Sequence, residues 1–300
     1  MRSGWQSNSS SGPAWLFVAP ALFGLLLFVA LPFVLAIALS FTNLRLGSPL
    51  PLEYVGLEQF RRIFSDEAFR HALINNATFA LLVVPLQTVI ALMLALLFNR
   101  RLSGMAWFRT LFFMPVVFPL SLVAVVWVLI FAPGPGGMMN AVLETASFGT
   151  WKAQDFLHDP QLALPAIMLT SVWQGMGFQM VIILAGLQAI PRELYEAARI
   201  DGASQWNQFL HVTLPQLRNT LIFVVLVTTI LAFRLFDQVQ IMTQGGPHYA
   251  TTTAMYEAVQ SAFARQQVAR GAAVTVVLFV IVLLITVLQR RLLRQERAIK

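Results

Sequence analysis

No Asp, Glu, Lys, Arg or His occurs between Ser3 and Leu44. An uncharged stretch of that length, apolar from Ala14 to Phe41, has few folds open to it. Lipid offers the backbone no hydrogen-bond partners, so an apolar run crosses it as a helix or within a closed barrel. A signal-peptide core runs about 7–15 residues, and this run is longer. It reads as a first transmembrane helix, residues 14–41, that stays in the chain. Pro20 and Pro32 fall inside it and are expected to kink it. Residues 1–13, rich in Ser, Gly and Asn, read as a disordered cytoplasmic tail.

The pattern recurs along the chain. Residues 42–71 read as an extracytoplasmic loop, with an amphipathic piece at Leu57–Phe64. Residues 72–290 then form a core with spans at about 72–99, 108–132, 162–188, 215–243 and 270–290. The fifth span needs Arg234 and Asp237 inside it, because its apolar run Leu221–Phe233 is short of a membrane thickness. Pro133–Gly137 and Gln244–Pro247 are strong breakers. With 58% hydrophobic residues, 11% charged and a mean hydropathy of +0.72, the chain reads as an all-α integral membrane protein. The absence of Cys excludes disulfides, thiolate zinc sites and redox motifs, and the four histidines form no helical ligand pair.

The net charge of +7 orients helices rather than binding nucleic acid. With six spans and the amino terminus inside, the inner segments hold Arg2; Arg100, Arg101, Arg109; Arg192, Arg199, Arg218; and Arg290, Arg291, Arg294, Arg297, Lys300. These are twelve of the 20 basic residues, against four acids: Glu193, Glu196, Asp201 and Glu296. Five spans would put the basic tail, residues 291–300, outside. The positive-inside rule therefore favours six spans with both termini cytoplasmic.

That orientation places the polar stretch Leu194–Pro215 in the cytoplasm. Pro191 suits a first helical turn, Arg192–Arg199 are good helix formers, and Gly202 permits a turn. Ala203–Phe209 can resume a helical turn, and Thr213 is a plausible cap for the next span. The expected form is a short helix, a bend and a second short piece. An amphipathic connector lying on the headgroups has the same features.

Here the residues resemble a family. Glu196-Ala197-Ala198, Gly202 and Val212-Thr213-Leu214-Pro215 are similar to the EAA signature, EAA-x3-G-x9-I-x-L-P, with Val212 at the Ile position. It belongs to permease subunits of bacterial binding-protein-dependent ABC importers. The resemblance covers about Ala14–Arg290. It implies a type I ABC-importer permease fold: six transmembrane helices and a cytoplasmic coupling helix, residues 191–212, docking on an ATPase. Glu196, Ala197, Ala198, Gly202, Trp206, Leu214 and Pro215 would carry the coupling. A second match, Phe236-Asp237 through Thr243-Gln244-Gly245-Gly246-Pro247 to Thr251 and Thr252, resembles carbohydrate-type permeases for maltose, glycerol 3-phosphate and trehalose. Asn140 after Gly136-Gly137, and Tyr54-Val55-Gly56-Leu57 with Phe60, fit the same pattern.

Neither lysine, Lys152 or Lys300, follows a Gly-x4-Gly, so the chain carries no P-loop. A motor must come from elsewhere. The resemblance implies a second, different permease subunit, a dimeric ATP-binding subunit and an extracytoplasmic solute-binding protein, in the bacterial inner membrane. This chain would bind no cofactor, ATP and Mg being held by the ATPase, and no catalytic or metal-ligating residue is assigned to it.

Polar groups at membrane depth are functional candidates by default. Gln87 lies mid-span; Trp173, Gln174 and Gln179 share the fourth span; Arg234, Asp237 and Gln240 fall at i, i+3 and i+6 of the fifth. Together they are read as lining a midplane cavity for a sugar, whose hydroxyls need such groups. The bland alternatives are an Arg234–Asp237 structural pair and glutamines that join helices. Gly175 and Gly177 suit close helix packing. Two other functions remain open: an ABC permease for a non-carbohydrate solute, and an ion-coupled secondary transporter.

Overall fold

The computed structural model describes residues 11–99 and 104–293. The tail through residue 10, the basic turn with Arg100 and Arg101, and the basic tail from Arg294 lie outside the described residues. Among the described residues, regular structure is helical apart from one antiparallel bridge, Thr42 to Tyr54, which closes the loop after the first span.

The principal helices are α1 (Phe17–Ser40), α2 (Glu58–Ser65), α3 (Glu67–Phe98), α4 (Met105–Val117), α5 (Leu120–Ile130), α6 (Met138–Ala146), α7 (Ala163–Gln188), α8 (Arg192–Ile200), α9 (Leu214–Phe233), α10 (Asp237–Met242), α11 (Ala254–Val259) and α12 (Val268–Leu293). Five segments are long and apolar enough to cross a membrane: α1, α3, α7, the run Gln205–Met242 and α12. The bent pair α4–α5 supplies a sixth.

The apolar stretch at 108–132 reads as one straight span and is not. Its two helices meet at 100°. Pro119 has no N–H to give the helix and forces Phe118 into an extended conformation, φ −78°, ψ 142°. Pro32 in α1 is absorbed differently. The turn Leu26–Ala30 widens to an i→i+5 pattern, with Leu31 N–H bonded to Leu26 O, so the helix continues past the proline.

In lipid there is no hydrophobic drive between helices, so packing depends on close approach and polar links. α3 lies along α7, and α4 crosses α7 where Gly177 stands. A Cβ there would come within 1.9 Å of Phe112 O, so only glycine admits that contact. Buried Phe79, Val83, Trp127, Phe131, Ile167 and Val239 form one core. Ala91, Ala95, Phe98, Met180, Ile183 and Leu217 form a second near α8. Ile63, Phe69, Phe233, Ala273 and Val274 form a third at the other end. Helix α1 rests on α12, where the Phe33 and Phe279 rings lie 4.6 Å apart, and otherwise exposes apolar side chains.

A charge network ties the third core's end together. Glu257, 1% exposed, accepts from Arg265 at 2.6 and 3.2 Å and from Arg270 at 3.3 Å. Arg270 also donates to Asp66 at 2.7 Å, and Asp66 caps α3 by accepting from Phe69 N–H at 3.2 Å. Burial alone would raise the Asp66 carboxyl. The Arg270 hydrogen bond and charge, with the Phe69 and Ala68 amides, outweigh it and hold the group below the ordinary carboxylate range. The unfolded chain then takes up a proton first as pH falls. The stabilisation is therefore full above the unfolded carboxylate pKa, about 3.9, and drains as pH falls through the lower folded value. Thermal unfolding in detergent should show a Tm that is flat near neutrality and falls below about pH 4. Asp66→Asn should lower the neutral Tm by an equivalent of about 1–3 kcal/mol and flatten that acid drop.

Candidate functional site

The cavity is built on two broken helices. After Phe233 the backbone leaves α9 at Arg234 (φ −91°, ψ 13°) and Phe236 (φ −137°, ψ −60°), then restarts as α10. A break at membrane depth frees carbonyls that something must satisfy. Asn76 Nδ2 donates to Ala232 O at 3.3 Å, and Thr253 Oγ1 donates to Leu235 O at 2.7 Å. Asn76 Oδ1 also accepts from Ala254 N–H at 2.8 Å, locking the returning chain against the break. The second break is the α4–α5 bend. Gln174 Nε2 lies 3.5 Å from its Phe118 carbonyl.

Between the breaks lies a cavity of about 610 Å³. Its walls come from α3 (Phe79, Val83, Gln87), the bend (Val116–Leu120), α7 (Ser171–Ile182) and the α9–α10 break (Leu231–Gln238). The wall is mainly apolar, with amides from three elements, Gln87 of α3, Gln174 and Gln179 of α7 and Gln238 of α10, set into it. Gln179, 4% exposed, donates to Thr228 Oγ1 at 2.6 Å, while its Oε1 is buried without a partner. Gln87 packs against Gly175, where a Cβ would stand 1.8 Å from Gln87 Nε2. Gly175 therefore makes room for an amide as well as for a helix.

Gln87, Gln174, Gln179, Arg234 and Asp237 all reach this wall. Arg234 and Asp237 make no ion pair among the described residues. Two expected residues do not reach it. Trp173 is turned to the other side of α7, edge-on to Trp127 at 5.6 Å. Gln240 accepts from Gln260 Nε2 at 3.1 Å instead. The i, i+3, i+6 spacing holds one face only on a continuous helix, and the break changes the rotation of everything after Phe233. Gln238 takes the place expected of Gln240. It is 2% exposed, bonds to the Ser171 hydroxyl and lies 3.4 Å from Gln174 Oε1. Its position between two motif residues, Asp237 and Val239, was the available signal.

The Gly-Gly-Pro motif residues are structural. Thr251 Oγ1 donates to Gly246 O at 2.8 Å and Thr252 Oγ1 to Gly245 O at 2.8 Å, while Asn75 Nδ2 binds the Tyr249 and Thr252 carbonyls at 2.7 and 2.9 Å. They hold a hairpin against α3. Asn140 does the same for its own loop, donating to Gly134 O and Gln154 O and accepting from Trp151 Nε1 at 3.0 Å.

At the opposite end of α9 stands the polar segment. Glu196 and Ala197 of α8 are exposed and Ala198 is half-buried. Gly202, φ +74°, turns the chain in the left-handed region that glycine enters without strain, and its N–H bonds Arg199 O at 3.0 Å. The chain then differs from the expected two short pieces. Ser204, not Thr213, is the cap, accepting from Asn207 N–H at 3.3 Å. Helix runs from Gln205 through Phe233, because the wide turn Phe209–Thr213 accommodates Pro215. Thr213 instead hydrogen-bonds the Tyr195 hydroxyl at 2.9 Å, fastening α8 to that helix. Trp206 is 65% exposed beside the bend and stacked on Phe209, whereas Leu214 and Pro215 lie within the helix beyond it. Ile200, 87% exposed on the same surface, was not singled out from sequence, since a lone Ile in a polar run carries no periodicity.

Residues 87–297 match the family described as binding-protein-dependent transport system inner membrane component. The sulfoquinovosyl glycerol transport system permease protein of Agrobacterium fabrum is 34% identical over 94% of this chain and 91% of its own. The trehalose/maltose transport system permease protein of Thermococcus litoralis is 32% identical over 94% of both chains. A bacterial alginate ABC transporter, solved in complex with an alginate pentasaccharide-bound periplasmic protein, contains a chain with the same fold. Its TM-score is 0.82 at 20% identity, over 95% of this chain and 94% of that one. On the family match and these relatives, this multi-pass membrane protein belongs to the inner membrane components of binding-protein-dependent transport systems.

Proposed function

We propose that the chain is one permease subunit of an ATP-driven importer for a sugar or sugar-like polyol, forming half of the translocation path. The observation that carries this is the cavity at the two helix breaks, with four glutamines in its wall and the unpaired Gln179 Oε1. A saccharide has hydroxyls to satisfy and apolar ring faces to cover. The wall's glutamines and its Phe79, Phe178 and Phe236 rings supply both. The names of the relatives, a trehalose/maltose and a sulfoquinovosyl glycerol permease, support that substrate class. Membership in a binding-protein-dependent family removes the reason to keep an ion-coupled secondary transporter.

On this reading α8 and its Gly202 turn dock on a separate, dimeric ATPase that holds ATP and Mg. Both termini are cytoplasmic, and a different permease chain supplies the other half of the path. Closure of the ATPases displaces α8. The Tyr195–Thr213 bond and the unbroken helix Gln205–Phe233 carry that displacement to the Arg234–Phe236 break. A solute-binding protein on the far side delivers the sugar. The chain does no bond chemistry.

Uptake assays on single alanine variants of Gln87, Gln174, Gln179, Arg234, Asp237 and Gln238 test the cavity. Each lost hydrogen bond should cost about 1 kcal/mol, roughly fivefold in transport efficiency, with altered preference among sugars. Normal uptake and unchanged preference in all six would refute it. Gly202→Pro tests the coupling: proline fixes φ near −65°, far from +74°, and removes the N–H bonded to Arg199. Co-purification with the ATPase and sugar-driven ATP hydrolysis should both be lost; normal values would contradict the docking role.

A further inference from the structure

The hairpin beyond α10 presents a side chain that neither the cavity nor the core uses. At its tip two consecutive non-glycine residues, His248 (φ 47°) and Tyr249 (φ 62°), adopt left-handed backbone. Such conformations are strained for L-residues and persist only where the surroundings impose them. The surroundings do so here. Asn75 binds the Tyr249 carbonyl at 2.7 Å, Ala250 N–H donates to Pro247 O at 2.8 Å, and Thr252 holds Gly245 O. The result is a Tyr249 ring that is 45% exposed, belongs to no buried cluster and lies over the His71 ring, centroids 6.1 Å apart and planes at 23°.

The position of this ring matters. His71, Asn75, Phe79, Val83 and Gln87 follow one i, i+4 ridge of α3. The last three line the cavity. His71 therefore stands two turns, about 12 Å, beyond Phe79 at the end of α3 away from α8. Phe236 in the cavity wall meets Tyr256 of α11, ring centroids 6.5 Å apart, and the Tyr256 hydroxyl donates to Gln244 O at 2.7 Å, so an aromatic pair joins the wall to the base of the hairpin.

A pyranose ring has an apolar C–H face that stacks on an exposed aromatic and equatorial hydroxyls that reach flanking polar groups. We infer that Tyr249, backed by His71, is an outer stacking subsite that receives one sugar ring before it enters the cavity. The inference rests on reading that cavity as a sugar path. The competing occupant of the tip is the surface of the solute-binding protein.

The test uses the whole transporter in proteoliposomes, with its binding protein and radiolabelled trehalose, maltose and lactose. Tyr249→Ala should cut uptake of the transported sugar about fivefold, while ATP hydrolysis stimulated by the binding protein stays within about twofold. Tyr249→Trp should keep uptake near wild type. Tyr249→Gly relieves the left-handed strain, so a merely structural role predicts improvement, whereas the subsite predicts the same loss as alanine. Uptake and stimulated ATP hydrolysis falling together would assign the tip to protein docking and overturn the subsite. Unchanged uptake in the alanine and glycine variants would overturn it too, with the cavity reading intact. A wild-type transporter that moves neither these three sugars nor any other saccharide or polyol of a wider panel would overturn both.

Discussion

The backbone of the fifth span leaves the helix after Phe233, and lipid will not satisfy the groups that this break sets free. That constraint governs the middle of the molecule. Asn76 and Thr253 bind the Ala232 and Leu235 carbonyls, and in doing so bring α3, the α9–α10 break and the returning hairpin to one point. The opening left beside this junction is the cavity. The α4–α5 bend faces it from the other side, with Gln174 near its Phe118 carbonyl. Irregular backbone thus occurs where protein or a polar pocket stands in for water.

The same span links this junction to the exposed α8 segment. Its helix begins at Ser204 beside the Gly202 turn and runs unbroken to the junction, with α8 fastened to it through Tyr195 and Thr213. Rigid elements transmit displacement; the breaks at Phe236 and Phe118 are where it can be absorbed as changes in backbone angle. On the proposed function, the exposed α8 surface and the amide-bearing cavity are two ends of one mechanical element. At the far end the Glu257–Arg270–Asp66 network ties the α11 helix to the starts of α3 and α12, giving the hairpin a fixed base.

Much of this was legible in the residues. Charge-free runs announced the spans, and the spacing from Glu196 through Gly202 to Pro215 announced the segment between them. Gln87, Gln174 and Gln179 were found because amides in apolar runs stand out. Two of the failures share one cause. Hydrophobic runs report that a segment is in the membrane but not where its helix breaks. Pro119 split a span that composition drew as continuous, and the break at Arg234 exchanged Gln240 for Gln238. Helical phase explains Trp173: one position from Gln174, it is rotated about 100° away, onto Trp127. Ser204 replaced Thr213 as the cap because the wide turn before Leu214 let the helix start earlier than its proline suggested.

The central claim is that docking at α8 opens and closes the cavity between the α4–α5 bend and the α9–α10 break. The chain has no cysteine, so Val227→Cys puts a single thiol on the cavity wall. Its labelling by a membrane-impermeant thiol reagent, added from the side of the binding protein, is the direct measurement. Labelling should be slow without nucleotide, rise severalfold when the ATPases are trapped with ATP, and lose that response with Gly202→Pro. Equal labelling in all states, or a response that survives Gly202→Pro, would contradict the account.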